Sequence, residues 1–171
     1  MQYTSAEAGK LVKKLEERMR LLINTEAKSA TFNAASGEDV ESLRPKYDFA
    51  KTHKEIEELS EKIRTVKHAI NEFNVSHTLP GFDDITIDQA LICIPQLRQR
   101  KDTLKAMIAR LPKERVNSFM HGNIIDYTII NYDLDEVEKA YNEYEEKHSA
   151  MQIALDTINA TEKMEIDVVL E

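Results

Sequence analysis

Residues that break or cross-link a chain are scarce in this sequence. Its 171 residues include four glycines, four prolines, one cysteine and no tryptophan. So few turn-forming residues exclude an all-β sandwich, which needs turn signals roughly every 8–12 residues. A few long helices need no more than this. The cysteine, Cys93, cannot form a disulfide within the chain, and its apolar neighbours predict a buried, unreactive thiol.

Long apolar runs are also lacking, which excludes further classes of protein. A membrane-spanning helix requires about 18 consecutive apolar residues, and no run approaches this length. Met1–Lys10 has no signal-peptide pattern, so we expect a cytoplasmic protein. The net charge of −8, from 31 acidic and 23 basic residues, argues against general affinity for nucleic acid or anionic membranes. The length predicts one domain over residues 1–171.

Four segments have apolar residues at the spacing of amphipathic helices. The first runs from about Ser5 to Ala30 and is followed by a polar connection, Thr31–Arg44. The second starts near Asp48 and carries two series that repeat every seven residues, as in a helix that packs lengthwise against another. We call these series the heptad seam: Phe49, Ile56, Ile63 and Ile70, and Thr52, Leu59, Val66 and Phe73.

The remaining two helices have predicted start sites. Thr86 and Gln89 have the spacing of a capping box, so the third helix begins there and ends at or before Pro112. Pro95 lies inside it and predicts a kink or a later start. The fourth helix begins at Asp133, and Glu136 follows three residues later, which is again the spacing of a capping box. The predicted core positions are Ile87, Leu91, Ile94, Leu97, Leu104, Ile108 and Leu111 in the third helix, and Val137, Tyr141, Tyr144, His148, Met151, Leu155 and Ile158 in the fourth.

A β-hairpin is predicted between these two helices, because β-branched and aromatic residues crowd into Ile124–Tyr132. Its other arm would be Val116–Met120, with a turn at His121–Asn123. A two-stranded ribbon is marginal alone, so it must lie on the helices, gain a third strand from Met164–Leu170 or pair with another chain. The sequence therefore predicts a mainly α fold, an antiparallel bundle of four long helices with a small β-hairpin between helices 3 and 4.

One pair of residues has the spacing of metal ligands. Glu145 and His148 form a Glu-x-x-His sequence, with which di-iron bundles aim two ligands from one helix face. Such a site needs a second Glu-x-x-His, and no other histidine has a glutamate three residues before it. His148 also lies in the predicted core row between Tyr144 and Met151. We therefore expect it to be a packing residue and assign no metal ligand.

Charge is segregated along the second half of the chain. The segment Arg98–Arg115 has a local net charge of +5, and Asp133–Glu162 has a net charge of −7. The two segments are expected to balance each other within the chain or between subunits. A phosphate backbone is the alternative partner, although no interleaved aromatic residues accompany the basic stretch. Its basic residues are Arg98, Arg100, Lys101, Lys105, Arg110, Lys113 and Arg115.

Other candidate chemistry is limited to a group of acidic residues. Gly81, Asp83, Asp84 and Asp88 lack the alternate ligands and closing glutamate of a calcium loop. They are expected to offset the dipole at the start of the third helix. The sequence has no Gly-rich phosphate loop, no cysteine pair for zinc and no G-x-S-x-G nucleophile motif. It therefore assigns no catalytic, cofactor-binding or metal-binding residue and no cofactor.

Five short segments together carry a resemblance to known proteins: Leu79-Pro80-Gly81, Asp84-Ile85-Thr86-Ile87-Asp88-Gln89-Ala90-Leu91, Ile124-Ile125-Asp126-Tyr127-Thr128, Asn131-Tyr132-Asp133 and Gln152-Ile153-Ala154-Leu155-Asp156. They resemble a family of small bacterial proteins that is labelled septicolysin-like. The resemblance runs from about Lys10 to Asp167 and implies a bacterial source and a long-helix fold. It supplies no functional residues.

These observations predict a structural or interaction protein without a catalytic site. The seams and the hairpin predict a homo-oligomer, with a dimer favoured because closed two-fold association is the commonest way to cover such surfaces. The competing class is a helical bundle with a buried metal or small-ligand site. Binding of nucleic acid through the basic stretch is a third, less favoured class, and we expect no membrane partner.

Overall fold

The computed structural model describes residues 1–116 and 125–168, and within them the chain is mainly helical with small antiparallel strand pairs. It divides into two compact units. Unit one is Met1–His77 with the chain from Ile158 onward, and unit two is Thr78–Thr157. The single domain expected for residues 1–171 stays a prediction. In chain order the elements are β1 (Gln2–Thr4), α1 (Ser5–Ser29), α2 (Val40–Leu43), α3 (Phe49–Ser76), β2 (Thr78–Leu79), β3 (Phe82–Thr86), α4 (Ile87–Ile108), β4 (Lys113–Val116), β5 (Asp126–Ile129), α5 (Leu134–Thr161) and β6 (Lys163–Glu165).

All four predicted long helices are present, as α1, α3, α4 and α5. Each of the predicted start sites is confirmed. Asp48 accepts a hydrogen bond from the backbone N–H of Lys51, and Thr86 forms the predicted reciprocal capping box with Gln89. Asp133 accepts from the backbone N–H groups at the start of α5. The polar connection before α3 contains one element that the sequence did not predict, the one-turn helix α2.

In unit one, α1 and α3 pack against each other in antiparallel directions. The Nζ of Lys67 lies 2.7 Å from a carboxylate oxygen of Glu16. Near the other end of the pair, the hydroxyl of Tyr47 donates to Glu26 over 2.6 Å. The first contact joins the middle of α1 to the later half of α3, and the second joins late α1 to the chain just before α3, as antiparallel packing requires.

The heptad seam of α3 is covered by the chain itself over most of its length. Buried seam residues include Leu59, Ile63 and Val66. Each fully buried side chain of this size contributes about 1.5–3 kcal/mol relative to an exposed one. At the start of the seam, however, Phe49 is 62% exposed. The seam is therefore internal in its middle and open at its N-terminal end.

The strand pair of unit one corrects one of the predicted alternatives. Of the predicted segment Met164–Leu170, the part that the structure describes ends at residue 168 and adds no strand to the hairpin, because β6 pairs antiparallel with β1. The N-terminal strand also leads into a capping box that the sequence analysis missed. Thr4 and Glu7 exchange hydrogen bonds at the start of α1, and their spacing is the same signal that identified Thr86.

In unit two, α4 follows a hairpin of β2 and β3 and continues through Pro95. Gly81 forms the turn with a φ of +80°, which a glycine adopts without strain. Of the predicted core positions, Leu104 is buried but Leu91 and Leu111 are 45% and 62% exposed, so these two predictions are wrong. Cys93 is half-buried rather than buried, because α4 presents most of the apolar run around it to solvent.

The start of α5 is anchored to the end of α4. The hydroxyl of Tyr132 donates a 2.7 Å hydrogen bond to the backbone carbonyl of Met107. Further along, Lys101 of α4 contacts Glu145 of α5, so the two helices run in opposite directions. The buried residues of α5 in unit two include Val137, Met151 and Leu155, in agreement with the predicted core row.

Candidate functional site

The Glu-x-x-His pair of α5 is part of a contact with α4. A carboxylate oxygen of Glu145 lies 2.7 Å from the Nζ of Lys101. The Lys101 side chain is only 17% exposed, compared with 43% for Glu145. An ammonium that is largely removed from water needs a hydrogen-bonding anion, and Glu145 supplies it. The pair thus joins α4 to α5 at this level of the two helices.

The electrostatics of the pair agree from both sides. The hydrogen bond from Lys101 lowers the pKa of Glu145, assisted by the nearby charges of Lys101, His148 and Lys105 and opposed by partial burial. The hydrogen bond to Glu145 raises the pKa of Lys101, again against partial burial. Each partner therefore favours the charged form of the other.

These shifts predict an acid-dependent contribution to stability. Because the pKa of Glu145 is lower in the folded state, its contribution is present above the unfolded value of about 4.3 and is lost as the pH falls through the folded value. We expect Glu145→Gln to lower the melting temperature at neutral pH, with the difference disappearing in acid. Melting curves of both proteins from about pH 2 to pH 7 test this.

Glu146→Gln is the matched control, because Glu146 is exposed and makes no ion pair in the described part of the chain. It should melt like the parent throughout. A melting difference for Glu145→Gln that persists unchanged at the acid end would contradict the assignment. In alkaline solution the pH dependence of stability is reversed. Because the pKa of Lys101 is raised in the folded state, the contribution of Lys101 to stability is lost as the pH rises through that folded-state pKa.

The contact between Lys101 and Glu145 is also relevant to the alternative prediction of a buried metal site. His148, predicted as a core position, is half-buried on α5 rather than buried. Within residues 1–116 and 125–168, no three His, Cys, Asp or Glu side chains lie together in a way that could hold a metal ion. The carboxylate of Glu145 is engaged by Lys101 and would have to release it to bind a cation.

The acidic residues before α4 occupy two different elements. Asp88 lies in the first turn of α4, where its charge complements the helix dipole as predicted. Asp84 is exposed on β3. The side chain of Asp83 lies outside the described residues. A shallow groove further along α4, lined by Pro95, Arg98, Gln99, Asp102 and Thr103, is wide open to solvent and lacks the enclosure typical of small-ligand sites.

The basic residues of Arg98–Arg115 lie partly on α4 and partly beyond it. Arg98, Arg100 and Lys105 are exposed on α4, and Lys101 is paired with Glu145. One predicted charge balance between the basic and acidic segments is therefore present within the chain. Lys113 and Arg115 lie beyond the helix on β4.

Strands β4 and β5 form the predicted hairpin, which we call the ribbon. Its second arm, β5, lies within the predicted Ile124–Tyr132, and its first arm includes Lys113–Val116; of the predicted first arm Val116–Met120, only Val116 is among the described residues. Residues 117–124, including the predicted turn, lie outside the described residues. Every residue of β4 is exposed, and β5 has only Asp126 half-buried. The ribbon is thus solvated on both faces.

The two faces of the ribbon differ in chemistry. Arg115 pairs with Tyr127, and Lys113 with Ile129; directly opposed residues share a face. On this face Tyr127 is 48% and Ile129 is 64% exposed, and the Nζ of Lys113 lies 4.0 Å from the centre of the Tyr127 ring. The other face carries Glu114, Val116, Asp126 and Thr128. We call the first of these the basic–apolar face.

These features define a mainly helical protein with small antiparallel strand pairs. Neither a family model nor a curated protein matches the chain. Among solved structures, the crystal structure of a functionally unknown conserved protein from Corynebacterium diphtheriae is similar to it. That similarity has a TM-score of 0.61 and 16% identity, and it covers 96% of this chain and 100% of that one. At this identity it shows the fold alone.

A helix that crosses a bilayer must be both long and strongly apolar. No helix in the described ranges meets both requirements. Tyr127 and Ile129 of the ribbon are among the exposed large apolar side chains of unit two.

Proposed function

We propose that the protein is a self-associating interaction module, a cytoplasmic homodimer without a catalytic site. In this proposal each copy folds its four long helices into an antiparallel bundle and presents the ribbon to its partner. Membership of the septicolysin-like family is part of the proposal and rests on the short matching segments, which predict long helices.

The observation that carries this proposal is the exposure of the basic–apolar face. A two-stranded ribbon is marginal in water unless another element covers one of its faces. Here Tyr127 and Ile129 are both about half exposed or more. Their strands also present outer edges that pair with no other strand in the described part of the chain. Such edges are templates for pairing with another chain.

The proposed dimer contact does not include the middle of the heptad seam, because that part is buried within one chain. Ile63 is only 8% exposed in one chain, so this part of α3 has no free surface for a second copy. Phe49, exposed at the N-terminal end of the seam, leaves a further surface for contact, and its ring stacks on His53 of the same helix with the ring centres 5.4 Å apart. The ribbon differs from that surface because its exposed apolar side chains lie on the same face as two basic residues, Lys113 and Arg115.

Light scattering coupled to gel filtration at low micromolar concentration tests the proposal. We expect the parent to have twice its chain mass of 19.7 kDa. The double variant Tyr127→Thr, Ile129→Thr keeps β-branched residues in the strand but removes its large apolar groups. It should raise the dimer dissociation constant about tenfold or more, the effect of losing one interface hot spot.

Val116→Thr is the matched control, because Val116 is exposed on the opposite face of the ribbon. It should leave the dimer dissociation constant nearly unchanged. A parent mass near 19.7 kDa, with a melting transition that does not depend on protein concentration, would contradict self-association.

A further inference from the structure

We infer that the basic–apolar face of the ribbon docks on the acidic side of α5 in a second copy of this chain. The inference rests on the proposed self-association and identifies the surface that receives the ribbon. It is based on charge complementarity between two surfaces of unit two, neither of which has its charges paired within the described residues.

The acidic side of α5 is defined by Glu143 and Glu146. They are three residues apart, so they lie within about 60° of each other around the helix. Both are exposed. Asp135 and Glu136 in the first turn stabilise the helix dipole, but Glu143 and Glu146 lie beyond the reach of that effect. Lys139 and Lys147 lie four residues before and after Glu143, but neither makes an ion pair with it within the described residues, so both carboxylates remain unpaired there.

The ion pairs of unit two leave both surfaces unpaired. Among residues 1–116 and 125–168, the salt bridge between α4 and α5 is the one from Lys101 to Glu145. Glu143 and Glu146 make none there. On the ribbon, Lys113 contacts the ring of Tyr127 and Arg115 makes no ion pair within the same ranges. A second copy would supply the missing counter-charges on both sides.

The size of the ribbon favours a reciprocal arrangement. Four residues per strand give a face only about 13 Å long, whereas each partner of a standard interface buries about 800 Å². In a two-fold dimer every contact occurs twice. The ribbon of each copy would contact α5 of the other, with the aromatic and aliphatic groups of Tyr127 and Ile129 covered and the charges at the rim.

A charge exchange between two variants tests this arrangement. The ribbon variant carries Lys113→Glu and Arg115→Glu, and the helix variant carries Glu143→Lys and Glu146→Lys. Alone, each would place like charges at both copies of the contact, and we expect each to run as a monomer at concentrations where the parent is a dimer. Mixed in equal amounts, they should form a heterodimer, because both of its contacts then join opposite charges.

Native mass spectrometry of the mixture identifies the heterodimer directly. Glu138→Lys is the control for the helix variant, since Glu138 is exposed but lies on a different side of α5; it should remain dimeric. We also expect dissociation of the parent to increase with salt, because exposed charges are screened over about 10 Å at 0.1 M ionic strength.

The possible outcomes separate this inference from the proposed function. A dimeric parent whose helix variant also stays dimeric, or a mixture that stays monomeric, would overturn docking on α5 and leave self-association intact. A monomeric parent would overturn both. Submicromolar binding of a single-stranded oligonucleotide by the parent at physiological salt, lost in the ribbon variant, would assign the basic–apolar face to phosphate groups instead of a second copy.

Discussion

Replacing Ile63 with aspartate is expected to unfold unit one without releasing a folded monomer. Ile63 lies in the middle of the heptad seam and is 8% exposed, surrounded by the buried apolar groups of α1 and α3. A carboxylate there would lose its hydration, and the described chain offers no cation paired to this position. We expect a loss of more than about 4 kcal/mol in the free energy of unfolding, at the extreme of single substitutions.

Urea denaturation followed by circular dichroism at the helical minimum measures this loss. Ile63→Val is the control, because it removes a single methylene group and should cost only about 0.5–1.5 kcal/mol. Mass and stability must be measured together. A folded Ile63→Asp protein with half the mass of the parent would show that this part of the seam is shared between subunits rather than covered by α1.

The heptad seam also shows what the sequence could predict and what it could not. Its spacing identified α3 and the buried residues Leu59 and Val66, because a repeat of seven places these side chains on one helix face. It could not show that Phe49 is exposed. Exposure depends on which part of the neighbouring helix carries apolar groups, and the later turns of α1 leave Leu21 and Ile23 in solvent.

The ribbon was predicted in part for a similar reason. Its second arm has the β-branched and aromatic composition of a strand. Its first arm begins with Lys113, Glu114 and Arg115, which have no apolar alternation and gave no strand signal. They are in a strand because each pairs with a residue of β5. The division of the ribbon into two chemically different faces follows only from that register.

The charge pattern was visible in the sequence, but its partners were not. A net charge of +5 beside one of −7 predicted that the two segments would balance. The structure selects one pair, Lys101 with Glu145, and leaves Glu143 and Glu146 exposed. The selection depends on the antiparallel packing of α4 and α5, which is a tertiary property.

A large effect is also expected at Leu104, a buried residue that lies in α4 three residues after Lys101. Its side chain is 2% exposed. Replacing it with alanine should lower the free energy of unfolding by about 2–5 kcal/mol, because the removed apolar surface and the cavity left behind both destabilise the folded state. Urea denaturation of the parent and the variant at one fixed protein concentration measures the difference.

Leu91→Ala is the matched control for Leu104→Ala. Both leucines lie on α4, and the apolar spacing of the sequence predicts a core position for each. Leu91 is nevertheless 45% exposed, so its truncation should change the free energy of unfolding by only about 0.5 kcal/mol. If the two variants were equally destabilised, Leu91 would be covered in solution. A loss for Leu91→Ala that grew with protein concentration would then place the start of α4 in a contact between copies.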